Sequence, residues 1–85
     1  MLVKTEGMDK RVSVADILYI EVMNHRLHIH TRQDEFVIRG SLQEMEEQLL
    51  GLHFMRSSHS YMVNLRNVTG LRKDSVLVAG REPPL

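Results

Sequence analysis

Cysteine and tryptophan are absent from this 85-residue chain, and proline occurs only at Pro83 and Pro84. Without cysteine there is no disulfide framework, no thiol nucleophile and no thiolate metal site, and a cytoplasmic location is expected. Aromatic rings are limited to Tyr19, Phe36, Phe54 and Tyr61, so the core must be largely aliphatic. Apolar runs last only a few residues, far short of the roughly 20 that a membrane-spanning helix needs, and no membrane contact is expected. The N-terminus also lacks an apolar segment followed by a small-residue cleavage site. Repeats, heptads and linkers rich in proline, serine or glycine are missing too. The length suits one modest core, and residues 1–85 are expected to form a single domain.

Formal net charge is zero, with 11 basic and 11 acidic residues, but the charge is segregated along the chain. Glu44, Glu46 and Glu47 form one short acidic segment. Residues from His53 to Lys73 include Arg56, Arg66, Arg72 and Lys73 and no carboxylate. Such a local positive source suits a polyanion. Within it, the polar residues Arg56, Ser57, Ser58, His59 and Ser60 interrupt an otherwise apolar stretch from Phe54 to Val63. Burying unpaired hydroxyls and imidazoles costs about 1–3 kcal/mol each, which predicts a surface loop preceding a strand.

Taken in order, the chain reads as strands, one short helix, then strands. Glu6 to Lys10 has the look of a turn between two strand-like pieces. Ile17 to Met23 is rich in β-branched and aromatic residues, and apolar residues of both parities predict a strand covered on both faces. Asn24-His25-Arg26 reads as a turn. Leu27 to Thr31 then alternates, placing Leu27 and Ile29 on one face and His28 and His30 on the other. After a turn at Arg32-Gln33-Asp34 comes a strand from Glu35 to Arg39. Ser41-Leu42-Gln43-Glu44 is a capping box, Leu42, Met45 and Leu49 recur at helical spacing, and Gly51 is placed for a left-handed stop. A helix over about residues 41–50 is predicted. Tyr61 to Val63 resumes β character, and Val68 to Arg72 pairs with Val76 to Ala79 around Lys73-Asp74-Ser75. Pro83-Pro84 stops the last strand or lies in a tail, since proline cannot donate to a ladder.

Several chemistries find little support. His25, His28 and His30 are close in sequence, but only two share a strand face and no third ligand completes a set, so solvent-facing strand histidines are expected and no metal or other cofactor. Ser57, Ser58 and Ser60 surround His59 without a strained nucleophile turn or an orienting acid, and no enzyme activity is expected. The glycines are isolated and form no phosphate-binding loop. A lone arginine on a strand is more often solvated or paired with a carboxylate than bound to phosphate. Four bases together without a counter-charge favour a binding surface.

Asp16-Ile17-Leu18-Tyr19-Ile20-Glu21, Asn24-His25-Arg26-Leu27, Arg39-Gly40-Ser41-Leu42, Phe54-Met55-Arg56 and Ser60-Tyr61-Met62-Val63-Asn64, in that order, resemble the LytTR DNA-binding domain, the output module of many bacterial response regulators. The resemblance spans nearly the whole chain. It implies a mainly β fold, an elongated arrangement of small antiparallel sheets with one short α-helix, and binding of double-stranded DNA through loops instead of a recognition helix. In the family, such loops enter successive major grooves, and two protomers often occupy direct-repeat sites. Carried over, the base-reading positions fall on His25 and His59, and Arg26, Arg56, Ser58 and Ser60 become phosphate or neighbouring contacts. Ser58-His59 departs from the pairs common at that place, so the preferred bases should differ. The family usually continues into a further strand and basic segment, so the C-terminal end of the domain is expected to be lacking. A complete regulator would carry an N-terminal receiver or sensor domain. The rival reading keeps the same fold as a protein-interaction or inhibitory module that holds an acidic partner.

Overall fold

The computed structural model of the chain describes residues 1–5 and 7–85. Strands β1 (Leu2–Thr5) and β2 (Met8–Arg11) make a small antiparallel hairpin. The turn expected from Glu6 to Lys10 is therefore corrected at Met8, Asp9 and Lys10, which are strand; Glu6 lies outside the described residues. Charged side chains hide this strand from a pattern reading, because its ladder is made by backbone groups alone. Val3 and Val12 anchor the hairpin by entering the core.

The central sheet contains β3 (Ile17–Met23), β4 (Arg26–Thr31), β5 (Glu35–Arg39), β6 (Phe54–Ser58) and β7 (Tyr61–Asn64), and its order is β5-β4-β3-β7-β6. Every neighbouring pair is antiparallel. A third sheet pairs β8 (Val68–Leu71) with β9 (Val76–Val78). The three sheets and one helix give an elongated body of 40 × 23 × 23 Å.

Both faces of β3 are covered, as its composition predicts. Ile17 and Ile20 join Leu27, Ile29 and Met62 in one apolar cluster, whereas Leu18 packs with Val63, Val76 and Val78 in a second. The switch coincides with a register irregularity between Ile17 and Tyr19, which changes the face that successive side chains meet.

Helix α1 (Leu42–Gln48) covers the first cluster through Leu42 and Met45, and Leu49 follows at the helix end. The capping box forms: Ser41 Oγ accepts from the Glu44 amide at 3.1 Å, and Glu44 Oε1 accepts from the Ser41 amide at 3.2 Å. Leu49 has already left helical geometry and Gly51 has φ 81°, so the helix is shorter than residues 41–50 suggest. Gly40 makes the tight entry: its φ is 149°, and a Cβ there would stand 3.1 Å from Leu27 Cδ1.

Past β9 the chain folds back on itself. Arg81 bridges to Val78 and Pro84 to Ser75, and the buried Pro83 accepts from the Val76 amide at 2.9 Å. Among the described residues no helix is long and apolar enough to cross a membrane.

Candidate nucleic-acid interface

Two tight turns emerge at one end of the central sheet. The first joins β3 to β4 through Asn24 and His25, whose φ values of 53° and 63° give the left-handed pair of a two-residue hairpin that follows the strand twist. Arg26, expected in that turn, belongs to β4, opposite Met23 on one side and Arg39 on the other. The second turn, His59-Ser60, joins β6 to β7. Because β3 and β7 are antiparallel neighbours, with the Val22 amide donating to the Ser60 carbonyl at 2.9 Å, it lies beside the first. Adjacent strands are about 4.8 Å apart, so the midlines of the two hairpins are separated by about 10 Å. The imidazoles of His25 and His59 are both exposed there.

The polar stretch before His59 is not a loop. Arg56 and Ser58 lie in β6, opposite Met62 and Tyr61, with an irregularity between them at Ser57. Edge position makes this possible, since one side of the strand keeps its polar groups in water. Ser57 is the exception: its Oγ is buried and has no hydrogen-bond partner among the described residues. Ser58 and Ser60 are half-buried.

Arg56 faces the helix. Its Nη1 donates to Glu46 Oε1 at 2.7 Å and its Nη2 to the His59 carbonyl at 2.9 Å. Arg72 likewise pairs with Glu82, at 2.6 Å. Both carboxylates come from outside the acid-free segment, so two of its four bases are neutralised in space although no acid is near them along the chain.

The strand histidines are also not the solvent-facing pair expected. His28 and His30 do share a face, but only 8% of His30 is exposed. Its ring stacks on Tyr19 at 4.3 Å between centroids, its Nε2 stands 2.9 Å from Glu21 Oε1, and Arg81 reaches its Nδ1 at 3.5 Å. The C-terminal fold-back supplies that Arg81 cover, 51 residues away in sequence. His28 Nδ1 contacts Glu35 Oε2 at 2.9 Å, a hydrogen bond that holds the Glu35 carboxyl below its ordinary value. Glu21 beside Tyr61, together with burial, raises that phenol, and burial raises Tyr19. Among the described residues no three acidic or histidine side chains converge to hold a metal ion.

Two asparagines fix the opposite end of the sheet, and sequence reading did not single them out for this. Asn64 is fully buried; its Nδ2 donates to the carbonyls of Ile17 at 2.9 Å and Val14 at 3.3 Å, while its Oδ1 accepts from the Arg66 amide at 3.1 Å. Asn67 Nδ2 donates to Ile17 and Ala15, and its Oδ1 accepts from Arg32 at 2.6 Å. A polar residue ending an apolar strand is the only local hint of such a clamp.

Comparison with curated protein sequences gives no match. Among solved structures, the chain is similar to the LytTr DNA-binding domain of a protein described as a methyl-accepting/DNA response regulator from Bacillus cereus. The TM-score is 0.80 at 21% identity, covering 99% of this chain and 83% of the other. That likeness establishes the shared fold. The family model of the LytTr DNA-binding domain matches residues 9–79, which include both turns and every strand that carries them. By that match the chain belongs to the LytTR family of DNA-binding domains.

Proposed function

We propose that the chain is the sequence-specific DNA-binding domain of a transcriptional regulator, presenting the turns at residues 24–25 and 59–60 to the major groove of a duplex. The observation that carries this reading is the convergence of the exposed His25 and His59 at one end of a rigid sheet. An imidazole offers one donor and one acceptor and can address guanine N7 or O6, or an adenine edge. Arg26, Ser58 and Ser60 stand in or beside the same turns, positioned for phosphates or neighbouring groups. Arg56, expected as a phosphate or neighbouring contact, acts in this reading as a neighbouring one, its guanidinium on the His59 carbonyl holding the second turn by its backbone.

A separation of about 10 Å suits one major groove, about 12 Å wide, far better than two turns of duplex about 34 Å apart. The two tips therefore address a single groove or its phosphate walls, and not successive major grooves. Two protomers on a direct repeat would extend the contact, and a receiver or sensor domain in a cytoplasmic response regulator would control it. The zero formal net charge favours one alternative, a protein-interaction or inhibitory module of the same fold that holds an acidic partner. A mobility-shift titration against random duplexes, with the bound fraction sequenced, separates the two. Enrichment of a common site supports the DNA reading. Absence of any retarded duplex at low salt overturns it.

A further inference from the structure

At the same end of the sheet, Arg26 and Arg39 are Cα partners across β4 and β5, and both are exposed. Directly opposed residues of an antiparallel pair project to one face with Cβ atoms about 4.5–5.5 Å apart, and like charges in that position repel. Among the described residues no carboxylate lies within 4.0 Å of either guanidinium. The acids on this face are already engaged: Glu21 with His30, and Glu35 with His28. Two other arginines do have carboxylate partners, Arg56 with Glu46 and Arg72 with Glu82. This opposed arginine pair thus sits uncompensated among the described residues, with Arg26 next to His25, where the proposed duplex would lie.

We infer that Arg26 and Arg39 together clamp one backbone phosphate of the bound duplex, with Arg39 a contact residue outside both turns. The inference rests on the DNA-binding reading. Two planar guanidiniums projecting side by side match the several acceptor oxygens of one phosphate, and the anion removes the repulsion between them. The clamp reads no base; it sets how deeply the His25 turn enters the groove.

The test uses Arg26→Gln, Arg39→Gln and the double variant in two arms. In the first, melting is followed in sodium sulfate and in sodium chloride at matched ionic strength. The wild type should gain more from sulfate than each variant, and each variant should melt in chloride no lower than the wild type. Equal sulfate gains in all four proteins would overturn the anion site. In the second arm, affinity for a random duplex is measured against salt. One shared phosphate predicts that the slope falls by about 0.9 in the double variant. A fall of about 1.8 means two separate phosphates and overturns the clamp, as does an unchanged slope. Should sulfate discriminate the variants while no protein retards any duplex, the DNA reading is lost and the anion site alone survives.

Discussion

Arg56 donates to the backbone carbonyl of His59, three residues ahead, at 2.9 Å, so the backbone that carries an exposed imidazole is tied to a guanidinium that itself rests on Glu46 of the helix. Turn, edge strand and helix are thereby coupled at a partly exposed site.

This coupling predicts how Arg56→Ala should behave. An exposed ion pair is worth about 0–1 kcal/mol and a solvent-exposed hydrogen bond about 0.5–1.5 kcal/mol, so the stability loss should be about 1–2 kcal/mol in urea unfolding. The salt slope of DNA affinity should stay as in the wild type, while the ratio of target to random affinity falls. A slope reduced by about one unit would instead place Arg56 on a phosphate.

His25 holds φ 63°, a region that costs a residue with a Cβ about 1–2 kcal/mol and glycine little. His25→Gly is therefore expected to raise stability by up to about 1 kcal/mol while narrowing discrimination between target and random DNA. Thermal melting and competition binding on the same preparation check both halves. A variant that is more stable and equally selective would remove His25 from base reading.

Asn64 satisfies two carbonyls and one amide where water cannot replace it. Asn64→Ala should cost about 3 kcal/mol, at about 1 kcal/mol for each of three hydrogen bonds, measured by chemical denaturation. Asn64→Asp should also destabilise, because a carboxylate cannot donate to the Ile17 and Val14 carbonyls. A loss below about 1 kcal/mol for the alanine variant would mean that Asn67 alone suffices to hold that end.

Glu35 carries an acid-side pH dependence. Its folded carboxyl titrates below the unfolded value of about 4.3, chiefly through the hydrogen bond from His28. The stabilisation is therefore fully present above about pH 4.3 and is lost as pH falls through the lower folded value. In Glu35→Gln the decline of melting temperature between about pH 5 and pH 3 should be shallower than in the wild type. Parallel curves would show that the contact contributes nothing to folding.

Residues within a few positions of one another settled much of this protein. The strand from Ile17 to Met23, the capping box of Ser41 and Glu44, and the alternation of Leu27 and Ile29 were legible because propensity, caps and period depend on near neighbours. The family, too, was legible, since its spaced motifs stand in order along the chain. Tertiary structure alone decided what those neighbours meet. It brought β7 against β3 and so set the turns of His25 and His59 side by side. It turned Arg56 and Arg72 toward acids remote in sequence, and it carried Arg81 over His30. These outcomes rest on backbone pairing and electrostatic contacts between segments tens of residues apart, which leave no periodic trace in the order of the amino acids.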